Sequence, residues 1–195
     1  PAVVRDLALL RRGLLLVVGS AGSGKSTTLA SMINHRAHHS QGHILTVEDP
    51  IEYLFTHNRC TVDQREIGTD THSFADALRN AMRQAPDVIM IGEIRDRETM
   101  EHAIAYAETG HLCVSTLHAA NASQALKRII NFFPEAMHPQ LRLDLSLNLQ
   151  AVLSQRLLPG RKGGRVLATE LLLHSAYVAD LVLKGAVDEI RHAIE

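Results

Sequence analysis

Residues 19–27 read Gly-Ser-Ala-Gly-Ser-Gly-Lys-Ser-Thr. Gly19, Gly24, Lys25 and Ser26 fit the spacing G-x-x-x-x-G-K-[S/T]. Glycines let the backbone curl so that successive N–H groups point at phosphate oxygens, and the helix that follows adds its positive end. In such a loop the lysine reaches the β- and γ-phosphates and the next hydroxyl faces a magnesium ion. The whole stretch, Gly19, Ser20, Ala21, Gly22, Ser23, Gly24, Lys25, Ser26 and Thr27, is therefore expected to hold a nucleotide, with Ser26 on Mg²⁺. A plain Gly/Ser turn with a surface lysine is the alternative, and it leaves the strand before and the helix after unexplained.

Three further stretches carry groups that suit hydrolysis. His43–Val47 is apolar and runs into EDPIEY, so Glu48, Asp49 and Glu52 crowd the tip of a strand expected to neighbour the first. Acids at that place can hold magnesium waters and polarise an attacking water. Alone, they would read as a turn at Asp49-Pro50 with solvated glutamates. Glu93 follows Val-Ile-Met-Ile-Gly at another strand tip and is expected to be catalytic or linked to Mg²⁺ through water, as is Glu52. Pairing with Arg95 or Arg97 is its structural alternative. Many nucleotide hydrolases place Asp where this chain has Gly92, so the second acid must come from elsewhere. His118 stands just past HLCVSTL, where a histidine can sense the γ-phosphate through a hydrogen bond. His111, at the other end of that strand, is left open between a functional and a structural role.

Other charged residues divide differently. Arg59 and Arg65 flank a hairpin-like stretch with no core role, and either would serve as an arginine offered to a neighbouring subunit's phosphate, an effect worth ~10³–10⁵ in rate where it occurs. His35, His38, His39 and His43 read as a solvated helix end, since no Cys or acid completes a zinc set around the one-turn pair His35/His39. Arg79 and Arg83 read as a solvated helix face.

These groups need a scaffold that brings strand tips together. Apolar runs of strand length (Leu14–Val18, His43–Val47, Val88–Gly92 and His111–Leu117) alternate with helical patterns. Ser73 is an expected helix N-cap, with Phe74, Ala77, Leu78, Ala81 and Met82 on one face, and a second helix opens at Asp96 or Arg97 and stops at Gly110. A third spans about Ala122–Asn131. Residues 54–66 read as an exposed hairpin or loop. After residue 134 come a helix, a strand, a PGRKGG turn, a strand and two short helices. Alternation of this kind predicts an α/β fold: a mostly parallel sheet, buried on both faces and flanked by helices.

Composition sets the outer bounds. The 195 residues are 46% hydrophobic but only 4% aromatic, with no Trp, so the core must be aliphatic. Twenty Lys and Arg balance 21 Asp and Glu, and no basic-aromatic stripe suits a nucleic acid. Cys60 and Cys113 form no CxxC pair and fit a reducing compartment. No apolar run is long enough to span a bilayer, and PAVVRDLALLRRG is not a signal peptide. The first residue is not Met, and residues 1–12 read as a linker into the domain that fills 13–195.

In order, GSAGSGKS, VEDPIEY, IMIGEIRD and TGHLCVSTLHAANA resemble the Walker A, Asp box, Walker B and His box of the secretion and type IV pilus ATPase superfamily. Nearly the whole chain is covered, and QREIGTDTHSFADALRNAMRQAPDVIMIGEIRD is nearest to the pilus retraction branch, especially its companion motor. Ala120 stands where relatives often carry Asn or another polar residue. The resemblance implies a RecA-like P-loop motor domain that hydrolyses ATP with Mg²⁺, with Glu93, Glu52, Glu48 and His118 as catalytic residues. It implies that the Asp box supplies the acid missing at Gly92. A PAS-like N-terminal domain before residue 13 and a homo-hexameric ring follow from it too. So do pilus retraction and twitching motility, a sister retraction ATPase and an inner-membrane platform protein as partners, and a cytoplasmic location peripheral to the inner membrane. The alternative it leaves is an accessory subunit that binds ATP and assists a sister motor.

Overall fold

Seven strands form one sheet, and the central β1, β4 and β5 are apolar on both faces and so must be covered on both. The computed structural model describes residues 1–161 and 163–194; Lys162, in the expected PGRKGG turn, lies outside the described residues. In chain order the elements are α1 (Ala2–Ala8), β1 (Gly13–Gly19), α2 (Lys25–His39), β2 (Gly42–Glu48), β3 (Cys60–Glu66), α3 (Phe74–Ala81), β4 (Val88–Ile91), α4 (Arg97–Glu108), β5 (Leu112–Leu117), α5 (Ala122–Asn131), α6 (His138–Asn148), β6 (Leu149–Pro159), β7 (Arg165–Leu173) and α7 (Ala176–Lys184). The sheet order is β3-β2-β4-β5-β1-β6-β7. All pairings are parallel except the β6–β7 hairpin.

Alternate residues of each strand serve two different core layers, as the two-residue period of a strand requires. Leu14, Leu16 and Val18 face a layer closed by α3–α7, whereas Leu15 and Val17 face α1 and α2. Residues 1–12, expected as a linker, contain the α1 helix, whose Leu7 and Ala8 are buried. The Arg36 guanidinium fixes it by donating to Ala8 O and Leu10 O at 3.0 and 2.6 Å. Ser73 caps its helix as expected and Asp96 opens the next, and Asn121 does the same for α5: each side chain accepts from the backbone N–H three residues on.

Two expectations need correction. Residues 60–66 are not a hairpin or loop but β3, an edge strand paired in parallel register with β2 from Gly42↔Cys60 to Glu48↔Glu66. Cys60 and Val62 are buried while Asp63, Gln64, Arg65 and Glu66 crowd its end, the charged edge that discourages pairing with another chain. The acid-bearing β2 also does not neighbour β1; β5 and β4 lie between them. Strand adjacency is set by the crossover helices, which carry no mark of it in sequence.

Candidate nucleotide site

The strands β1, β2, β4 and β5 end on the same side of the sheet, and their loops enclose a cleft of about 250 Å³. Lys25, Ser26, Glu48, Glu52, Glu93 and His118 all line it. Ligands bind at the carboxyl ends of strands in open α/β sheets, where helices start and loops are free to vary.

The loop of residues 19–27 has the backbone its glycines permit. Gly22 and Gly24 have φ of 69° and 89°, a left-handed backbone that favours glycine, and a Cβ on either would meet no atom within 4 Å. Gly19 is different: its Cβ would run into Ser23 Oγ of the loop itself and into Gln155 O on β6, the strand that pairs beside it. Lys25 is 8% exposed and donates from Nζ to Ser20 O at 3.0 Å. Burial lowers its pKa, opposed by the charges of Glu93 and then Glu52. Two acids from separate strand tips thus act on one buried ammonium.

Those acids occupy distinct surroundings. Glu48 is 6% exposed and accepts from Thr46 Oγ1 at 2.7 Å and Gln64 Nε2 at 3.2 Å. Burial pushes its pKa up, against the hydrogen bonds from Thr46, Gln64 and the Glu52 backbone. Glu52 lies on the loop after β2, which curls back over the first turn of α2: Tyr53 OH and Thr27 Oγ1 are 2.8 Å apart. That return brings β2's acids to a loop two strands away. Glu93 has Arg95 Nε at 2.8 Å from Oε2 and His118 Nε2 at 3.1 Å from Oε1. Arg95 Nη1 stands 3.6 Å from Asp49 Oδ2. The structural alternative for Glu93, a pair with Arg95, is a contact it makes, and Glu93 also stands in the cleft beside His118.

Gly92 has a steric reason. A Cβ there would lie 3.3 Å from both Glu48 Cα and Val47 O, while Gly92 N–H donates to Val47 O at 2.8 Å. An Asp at 92 would press into the β2 tip that carries Glu48, and that tip would have to give by a few tenths of an ångström to admit the side chain many hydrolases use.

The remaining candidates are spread out. Arg65 is at the carboxyl end of β3 and Arg59 just before its other end, so a full strand separates them; neither lines the cleft. His111 contacts Thr109 Oγ1 and Tyr106 O at the far end of β5 from His118. His38 and His39 approach carbonyls of their own helix, Asn34 O and His35 O, at 2.8 Å, and His35 stacks on His39. Burial, then His39 and Arg5, lower the pKa of His35. No group of three metal-ligating side chains occurs among the described residues. Arg79 pairs with Asp76 and Glu98 on the surface.

Sequence reasoning missed Tyr53, Gln155 and Thr116. Gln155 Nε2 donates to Thr28 Oγ1 at 2.7 Å from 127 residues away, and Thr116 Oγ1 donates to Gly92 O at 2.7 Å. Only the polar character of Ser115-Thr116 hinted at the latter. Among the described residues no helix is long and apolar enough to cross a membrane.

The profile of the family described as "Type II/IV secretion system protein" matches residues 2–170. The chain is 57% identical to the type IV pilus ATPase PilU of Pseudomonas aeruginosa over 192 residues, covering 98% of this chain and 50% of that protein. It is 44% identical to the pilus retraction ATPase PilT of the same organism, covering 99% of this chain and 56% of that one. A crystal structure of the pilus retraction motor PilT with bound ADP superposes with a TM-score of 0.95 at 49% identity, over 98% of this chain and 56% of that chain. The Legionella pneumophila ATPase DotB gives a TM-score of 0.90 at 32% identity, over 99% of this chain and 54% of that chain. The chain spans about half the length of the curated relatives it matches. With its P-loop, its strand-tip acids and these matches taken together, the chain belongs to the type II/IV secretion system protein family.

Proposed function

We propose that this chain is the ATP-hydrolysing motor domain of a hexameric type IV pilus retraction ATPase. The observation that carries the reading is convergence: Lys25, Ser26, Glu52, Glu93 and His118, from four separate strand ends, line one cleft. The names of the relatives supply the retraction and twitching context.

ATP and Mg²⁺ fit the cleft. Ala21, Gly22, Lys25 and Ser26 of the loop line the cleft where phosphates would sit, and Ser26, Glu52 and Glu93 are the hard oxygen donors magnesium prefers. Bound Mg-ATP supplies a γ-phosphoryl group to be transferred to water. Ser26 would hold the metal directly, and Glu52 and Glu93 would hold it through waters. Lys25 would leave Ser20 O for the β- and γ-phosphates, its charge kept by Glu93 and Glu52. Glu93 would accept the proton of the attacking water, and His118, touching Glu93, would report on the γ-phosphate. Glu48, buried beneath Glu52, would hold the tip of β2 in place. Arg65 or Arg59 would act on a neighbouring subunit.

The wider setting belongs to the same proposal. Residues 13–195 form the motor together with α1, which packs on α2, and the chain leads into α1 from a PAS-like domain. The ring works at the cytoplasmic side of the inner membrane with a sister retraction ATPase and a platform protein. Nucleotide binding and hydrolysis by the full-length protein, alone and with its sister motor, test the reading. Turnover alone supports the motor; tight ATP binding with turnover only beside the sister supports the accessory role; neither binding nor turnover rejects both.

A further inference from the structure

Glu93 is tied up on both sides. Its Oε2 accepts from Arg95 Nε at 2.8 Å and its Oε1 stands 3.1 Å from His118 Nε2, with the carboxylate side chain 18% exposed. A general base needs a lone pair aimed at the attacking water, and in this arrangement each oxygen has a protein partner that competes with that water for it. Lys25 is likewise turned onto Ser20 O, so both central charged groups of the cleft make contacts within the protein. Arg95 has a second acid within reach. Its Nη1 is 3.6 Å from Asp49 Oδ2, on the loop after β2, and both side chains are about half exposed and free to shift. The guanidinium therefore sits between an acid that must be released for chemistry and one with no other ion-pair partner among the described residues. Its fork of donors allows it to strengthen one contact as it gives up the other.

We propose that Arg95 is a switch that restrains Glu93 until phosphates enter the cleft and then passes to Asp49, leaving Glu93 free to act. Arg95 is a positioning residue: it acts through Glu93 and never touches the reacting atoms. The proposal rests on the ATPase reading. It predicts opposite signs for two neighbouring substitutions, which a purely structural pair does not. Removing the guanidinium frees Glu93; removing Asp49 leaves Arg95 with Glu93 as its single acid.

The test is steady-state ATP hydrolysis by the full-length protein and its R95Q, R95K, D49N and R95Q/D49N variants, with folding checked by thermal denaturation. R95Q should raise basal kcat by about three- to tenfold, the net range of an ordinary hydrogen bond, since Arg95 is half exposed, with KM within about twofold. R95K keeps a cation beside Glu93 and should restore the low rate. D49N should lower kcat by about twofold, in keeping with an exposed ion pair, and this effect should vanish in the R95Q background. An R95Q rate that is unchanged or lower overturns the switch, as does a D49N effect of equal size in both backgrounds. Should R95Q fail to fold, D49N decides alone, and a rate that does not fall overturns the proposal. No turnover by the unsubstituted protein, alone or beside its sister motor, overturns the ATPase reading and the switch with it, whereas normal turnover with an unresponsive Arg95 overturns only the switch.

Discussion

Two regions of this chain are dense in titratable side chains, and they are built in opposite ways. At the carboxyl edge of the sheet, Glu93, His118, Arg95 and Asp49 come from the tips of β4, β5 and β2 and meet each other within 2.8–3.6 Å. At the end of α2, His35, His38 and His39 come from one helix and turn back on that helix's own carbonyls and on one another. Density of ionisable groups is similar; convergence is not. Side chains from separate elements can hold an object placed between them, whereas neighbours on one helix share a direction and satisfy themselves locally.

If convergence is what makes the site, Glu93→Gln should have the largest effect. The isostere keeps the contacts' shape and loses the base, so turnover should fall by about 10²–10⁴-fold while nucleotide binding persists. Single-turnover hydrolysis beside a binding titration reads both. Normal turnover would detach Glu93 from the chemistry and break the comparison.

Lys25→Ala comes next. It removes the charge that faces the phosphates, and affinity for ATP should fall by about 10–100-fold, the worth of a hydrogen bond to a charged group. Calorimetric titration measures it, and an unchanged Kd would move the nucleotide elsewhere.

A smaller, pH-dependent effect is expected at Glu48. Its folded pKa is raised by burial, so its contribution to stability is full below the unfolded carboxyl value and is lost as pH rises through the folded value. Glu48→Gln removes that loss. The variant should melt about 2–4 °C above the unsubstituted chain at pH 8, which corresponds to ~1 kcal/mol in a protein of this size, and the gain should disappear near pH 4. A melting difference that is flat with pH would show that the Glu48 charge is not what burial penalises.

The smallest effect sharpens the other half of the comparison. His39→Ala should change stability by no more than about 0.5 kcal/mol and leave ATP turnover alone, as surface substitutions do. A large loss of turnover would mean that the helix end is a site after all.

The sequence made the cleft's components legible because each carries a local signature. The P-loop is a spacing; Glu48 and Glu93 are acids directly after apolar strand runs; His118 follows a strand with a polar end; Ser73 and Asp96 are caps whose own side chains satisfy the N–H groups that follow. What was hidden is relational. β3 looked like a loop because an edge strand needs only Cys60 and Val62 inside, a pattern too short to distinguish. The return of Tyr53 to Thr27 and the reach of Gln155 to Thr28 depend on contacts across 26 and 127 residues.

By itself, then, the sequence determined which side chains could do chemistry and that parallel strands would present them at one edge, because apolar runs buried on both faces and glycine-dependent loops are short-range properties of the chain. Tertiary structure alone decided which strands lie side by side. It placed β5 and β4 between the P-loop and the Asp box, brought β2 so near Gly92 that a side chain there would have to push it back, and left Arg95 between Glu93 and Asp49. Those outcomes follow from crossover geometry and strand packing, which act between residues far apart in the chain.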